Sequence, residues 1–180
     1  MVKLIQKNSL TVRLLTEADA SLLTRWLSDP RVLKFYEGRD RPYDLERVRE
    51  HFYVSESVTR CIVDWNGQAI GYLQFYPVEP ESKTLYAYPT NECLWGMDQF
   101  IGEPDYWNRG IGTQFVQAIA NYLLNLGAAG VVMDPEAWNQ RALRAYEKAG
   151  FKKVKLLPKH EMHEGEWRDC WLMEFVKPLG

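Results

Sequence analysis

The sequence predicts a mixed α/β domain built around a twisted sheet. Three observations predict it: strand-like and helix-like segments alternate along the chain, one stretch has the length of a parallel strand-helix-strand crossover, and apolar residues suffice for a core without covalent staples. With 180 residues of which 46% are hydrophobic, residues 1–180 are expected to form one domain, because a chain of that size buries a core unaided. No repeat, low-complexity tract or linker interrupts it.

Taken in order, Leu10 to Leu15 alternates as a strand, and Thr16 is placed to cap a helix whose Leu22, Leu23, Trp26 and Leu27 recur at helical spacing. Asp29-Pro30 is expected to end it. A second amphipathic helix is predicted over Asp44 to Phe52. Cys61-Ile62-Val63 and Ala69 to Leu73 flank Asn66-Gly67, the dipeptide a two-residue type I′ hairpin turn requires. Pro77 to Pro89 is turn-rich and acidic and is expected to be an exposed connection. Glu92 to Ile101 is the next strand, with Gly96 marking a bulge or a close approach of another backbone. Gly110 opens a helix to about Leu126, with Ile111, Phe115, Ile119, Tyr122, Leu123 and Leu126 expected on its buried side. Val131 to Met133 is a short buried strand, and Asn139 to Ala149 a helix closed by Gly150. Phe151 to Leu157 and Cys170 to Val176 complete the domain as two strands joined by a polar loop.

Composition excludes several classes of function. Cys61, Cys93 and Cys170 are odd in number and widely spaced, with no Cys-x-x-Cys pair, which opposes a disulfide framework or zinc site. A net charge of -2 without a dense basic cluster opposes nucleic-acid and membrane-surface binding. Met1 to Leu10 lacks the apolar region of a secretory signal, and no run approaches the roughly 20 residues of a membrane span. The expectation is a cytoplasmic protein, monomer or homodimer.

Chemistry concentrates in two blocks. Tyr106-Trp107-Asn108-Arg109-Gly110-Ile111-Gly112-Thr113 lies between a strand and an amphipathic helix, where glycines let backbone N–H groups converge and the helix N-terminus adds positive potential. It is neither a P-loop nor a dinucleotide fingerprint, and alone it is equally a helix started by glycine. The second block, Asn139 to Phe151, follows at the distance of one βαβ unit. Together the two resemble the CoA-binding blocks of the GNAT acetyltransferase superfamily. Gly110 and Gly112 match the pyrophosphate-gripping glycines, and Asn139, Ala142, Tyr146, Gly150 and Phe151 match the second block. Trp107 departs from the pattern by standing where Gln or Arg is usual.

The resemblance implies a central twisted mixed sheet of about seven strands flanked by about four helices. It also implies acetyl-CoA as cosubstrate, bound by Gln99, Phe100, Ile101, Trp107, Asn108, Arg109, Gly110, Ile111, Gly112, Thr113, Asn139, Ala142 and Tyr146. Tyr146 is then the acid that protonates the leaving thiolate. Within the superfamily, Gly96-Met97-Asp98-Gln99, Phe35 to Asp40, Met133-Asp134-Pro135 and His160 to Gly165 are similar to the aminoglycoside 6′-N-acetyltransferases. That similarity implies a direct attack in a ternary complex, with Asp98 at the accepting amine as its base.

Asp98 attracts attention before any resemblance, because a carboxylate in an apolar strand is costly to bury without a partner. A polycationic acceptor needs several carboxylates. Asp40, Glu92, Asp98, Asp134 and Glu136 are the acceptor-binding set, preferred over Glu79, Glu81 and Glu164, with Asp134 first because it ends a strand. His160-Glu161-Met162-His163 is one residue short of the zinc-protease pattern, so no metal is expected. Two other readings stay open: a related enzyme acting on a protein N-terminus, polyamine or siderophore precursor, and a non-catalytic acyl-CoA-binding module.

Overall fold

The computed structural model describes residues 1–54 and 57–179. The chain divides into two compact units, Met1–Gln74 with Gln99–Gly112, and Phe75–Asp98 with Thr113–Gly180. Among the described residues there are eight strands and six α-helices, so the mixed α/β class is as expected with one strand and two helices more.

The first unit carries β1 (Lys3–Lys7), β2 (Leu10–Leu14), β3 (Thr59–Trp65) and most of β4 (Gln68–Pro77), with α1 (Ala20–Trp26), α2 (Pro30–Leu33) and α3 (Leu45–Phe52). β2 pairs antiparallel with β1 and with β3, from Leu10↔Trp65 to Leu14↔Cys61. Asn66 and Gly67 both have positive φ (49° and 81°), as the predicted turn between β3 and β4 demands. Leu23, Trp26, Leu27, Leu33, Val48, Phe52, Ile62, Tyr72 and Phe100 form its core. Gly102 is required there, since a Cβ would lie 2.2 Å from the Trp26 ring.

β1 was not expected. It is an edge strand with both faces at least partly wet, so it shows no apolar alternation. Asp29-Pro30 does not simply end a helix either: Asp29 accepts the Arg31 N–H at 2.9 Å and caps the short α2, with Pro30 in the first turn.

The second unit holds the end of β4, α4 (Pro80–Tyr86), the start of β5 (Leu94–Ile101), α5 (Ile111–Asn125) from Thr113 onward, β6 (Gly130–Met133), α6 (Gln140–Ala149), β7 (Lys152–His163) and β8 (Glu166–Phe175). β6 pairs parallel with β5, from Leu94↔Gly130 to Gly96↔Val132, and antiparallel with β8. The parallel pair, with α5 between its strands, is the strand-helix-strand crossover that the sequence predicts.

Three expectations fail in this unit. Pro77 to Pro89 contains α4, started by Pro80 and stopped by Ala87 in the left-handed conformation, so the turn residues bracket a helix rather than make a loop. The segment after Leu157 continues β7, and the hairpin turns at Glu164-Gly165, both at positive φ. Its polar residues belong to a half-wet strand. Leu126 is 65% exposed because α5 ends at Asn125 before completing the buried turn.

Candidate active site

In the second unit, Gly96 and Asp98 lie two apart on β5 and face the same side, while Met97 between them is buried. Tyr76 of β4 lies across Gly96: a Cβ there would meet Tyr76 Cε2 at 2.4 Å and Cζ at 2.8 Å. The glycine therefore makes room for an aromatic side chain rather than for a bulge or a second backbone, and the phenol it admits hydrogen-bonds Asp98. Burial first, then the charges of Asp98 and Asp134, push the Tyr76 hydroxyl far above its ordinary range, so it remains a donor.

Asp134 directly follows β6. The segment after it is laced to β8, with Trp171 N–H on the Pro135 carbonyl at 2.9 Å and Ala137 N–H on the Asp169 carbonyl at 2.8 Å. Asp134 Oδ2 accepts the Tyr86 hydroxyl at 3.2 Å and lies 2.8 Å from His160 Nε2. Tyr86 sits at the end of α4, and burial followed by the Asp134 charge raises its phenol in the same way. Because Tyr76 also feels Asp134 and Tyr86 also feels Asp98, the two carboxylates and two phenols form one electrostatic group.

His160 reaches Asp134 through an irregularity in β7. The register with β8 shifts between Leu157 and Glu161, Lys159 takes φ 44°, and its N–H is held by Asp169 Oδ1 at 2.8 Å. The bond to Asp134, opposed by burial and helped by the charges of Asp134 and Glu161, holds His160 above its ordinary range.

The other predicted carboxylates are less united. Glu136 accepts the Trp138 indole N–H and lies 3.4 Å from His163 Nδ1, and His163 Nε2 is 4.0 Å from Glu164. Burial first, then the bond to Glu174 and last the Glu92 charge raise the Tyr88 phenol above its ordinary range. Asp40 is exposed in the first unit.

The two blocks read from the sequence each have a defined local geometry. In the first unit, Asn108 (φ 57°) and Gly110 (φ 73°) are left-handed, and nothing lies within 4 Å of a Cβ built on Gly110, which leaves the backbone bare enough to receive a phosphate. Arg109 is exposed and packs over Tyr106 at 5.0 Å. Trp107 donates to the Ile101 carbonyl at 2.9 Å and meets Phe35 edge-on, so the indole that replaces Gln or Arg anchors this turn. Phe100 is buried among Trp26, Tyr36 and Tyr72, which leaves only its backbone for a ligand. Ile111 is buried and Gly112 is packed only loosely, its nearest neighbour the Ile101 side chain.

In the second unit, Asn139 caps α6 by accepting the Ala142 N–H at 3.2 Å, and Thr113 of α5 donates to the Ala145 carbonyl at 3.2 Å. Tyr146 is half-buried one helical turn beyond Ala142. Among the described residues, no group of three His, Cys, Asp or Glu is placed to hold a metal.

Tyr76, Tyr86 and His160 were not singled out as site residues from the sequence. A glycine in a strand announces that something approaches, without naming it. Pro158, just past the point where the sequence reading ends the strand, was the one local hint of the irregularity that aims His160.

A GNAT acetyltransferase domain matches residues 16–158. An aminoglycoside N(6′)-acetyltransferase type 1 of Klebsiella pneumoniae is 33% identical over 151 residues, which are 81% of this chain and 75% of that protein. Among solved structures, aminoglycoside acetyltransferase AAC(6′)-Ib in complex with coenzyme A and kanamycin aligns at TM-score 0.74 and 27% identity, covering 94% of this chain and 95% of the other. Spermidine N-acetyltransferase from Vibrio cholerae aligns at TM-score 0.75 over 93% and 95% of the two chains, but at 16% identity it shows the fold alone.

Proposed function

Because the chain belongs to the GNAT acetyltransferase family, we propose that it moves acetyl from acetyl-CoA to the 6′-amine of an aminoglycoside by direct attack in a ternary complex. The observation that carries this reading is the group made by Asp98, Asp134, Tyr76 and Tyr86, two carboxylates held by phenols that stay protonated. Such a group suits an acceptor bearing more than one ammonium. The 33% identity to a 6′-acetyltransferase over most of the chain supports the same acceptor.

Acetyl-CoA, when bound, supplies the activated thioester. The left-handed turn at Asn108 to Gly110 offers N–H groups to the pyrophosphate, with the helix N-terminus adding to the potential. Backbone groups of Gln99 to Ile101 are assigned to the pantetheine arm. Asp98 binds the accepting ammonium and takes its proton, which frees the nitrogen lone pair for the carbonyl carbon. Tyr146 gives its phenolic proton to the departing sulfur as the nitrogen–carbon bond forms and the carbon–sulfur bond breaks. The second proton the nitrogen sheds on becoming an amide restores the Tyr146 phenol by way of solvent, so the thiol leaves neutral and one proton remains on Asp98. Asp134 holds a second ammonium, with Glu136, Glu92 and Asp40 as further acceptor-binding carboxylates. In this reading the whole chain acts as one catalytic domain in the cytoplasm and confers resistance to the drug.

The test is thiol release by the purified chain with acetyl-CoA and a panel of amines. Kanamycin should support turnover. Release with spermidine or a peptide N-terminus, and none with kanamycin, would overturn the acceptor.

A further inference from the structure

Asp134 already faces a cation of the chain's own. His160 Nε2 lies 2.8 Å from its Oδ2, and the irregularity in β7 that aims the ring is fixed by the Lys159 N–H bond to Asp169. The Tyr86 ring of α4 lies near the imidazole, ring centroids 6.3 Å apart, and its hydroxyl donates to the same carboxylate oxygen. On β7 itself the neighbours are Lys159 and Glu161. Glu161 pairs in register with Arg168 of β8 and is approached by Cys170 Sγ at 3.8 Å. Both His160 and Asp134 are partly exposed, at 20% and 30% of their side chains, so an incoming ligand can reach the pair.

We propose that the His160 imidazolium is a built-in counter-ion for Asp134, which an ammonium of the acceptor displaces, and that His160 thereby selects polycationic acceptors. This rests on the reading of Asp134 as an acceptor-binding carboxylate. The exchange balances as one cation for one proton. The ammonium takes the place on Asp134, and His160, left beside a second positive charge, releases its proton to solvent. A monoamine would merely replace one cation by another at Asp134. A polyamine gains at Asp98 as well, and that second contact drives the exchange. By linkage, acceptor binding and His160 protonation oppose one another by the same factor.

The experiment is an NMR pH titration of the His160 imidazole in the full-length chain, free and saturated with kanamycin. In the free protein the midpoint should lie above the ordinary value of about 6.5, and kanamycin should lower it by about one pH unit, a tenfold change in proton affinity. In Asp134→Asn the free midpoint should fall to the ordinary value. In His160→Gln the Michaelis constant for kanamycin should lose the wild type's excess rise, about tenfold, between pH 8 and pH 6. Kanamycin bound to the wild type with the His160 midpoint unmoved would overturn the inference alone. No calorimetric binding of kanamycin at all would defeat the acceptor reading, and the inference with it.

Discussion

Asp19 in the first unit and Asp134 in the second are both carboxylates at the edge of packed apolar regions, and their surroundings treat them in opposite ways. Asp19, 6% exposed, receives two hydrogen bonds from Arg13 at 2.9 Å each, plus the Thr16 N–H and hydroxyl. Arg13 also reaches Asp64 at 3.0 Å. Burial pushes Asp19 up, but the Arg13 and Thr16 bonds outweigh it and hold the carboxyl below its usual range. Asp134 meets instead a neutral phenol and an imidazole whose charge can be removed. A carboxylate bound by a guanidinium stays neutralised at every working pH and serves the fold. One bound by donors that are neutral or can become so keeps its charge for a ligand.

The largest expected effect tests the functional side. Asp98→Asn should lower turnover by about 10² to 10⁴ while the fold and acetyl-CoA affinity persist, because it removes charge at constant shape. Tyr146→Phe should also lower turnover more than acetyl-CoA affinity. Steady-state rates with calorimetry of CoA binding separate these effects, and unchanged rates would return both residues to packing.

Next comes the structural side. Arg13→Ala should destabilise the chain by about 3 to 5 kcal/mol at pH 7, since it leaves Asp19 buried without its cation. The pH dependence follows from Asp19. In the wild type its folded pKa is depressed, so its contribution is present above the ordinary value of about 4 and is lost as pH falls through the folded pKa. Without Arg13, burial dominates and the carboxyl is favoured protonated. The deficit in urea unfolding should therefore narrow from pH 7 towards pH 4. A deficit that widened would break the comparison.

The smallest effect is Asp134→Asn. It should raise the Michaelis constant for kanamycin about tenfold, change turnover little, and cost urea stability about 1 kcal/mol, well below the cost of Arg13→Ala. A stability loss matching that of Arg13→Ala would make Asp134 another Asp19.

Much of this contrast was legible in the sequence, and the reasons for the rest are physical. Asn66-Gly67, Gly150 and the α5 stripe act through local backbone geometry and periodicity, which the sequence carries directly. Asp98 was visible as a charge among apolar residues. Tyr76 and Tyr86 were not, since what makes them partners of Asp98 and Asp134 is strand pairing and the placement of α4, which are long-range. His160 looked like part of a polar loop because most of β7 is wet and its register with β8 shifts after Leu157. The Arg13–Asp19–Asp64 cluster escaped notice for the same reason: Asp64 lies 51 residues from Arg13 and meets it only through the β2–β3 pairing.

The most direct test of the account is NMR of the product formed by this chain from kanamycin and acetyl-CoA. The account predicts a single acetyl group on the 6′ nitrogen, formed with one equivalent of CoA thiol. Acetylation at any other amine, or at a hydroxyl, would contradict it.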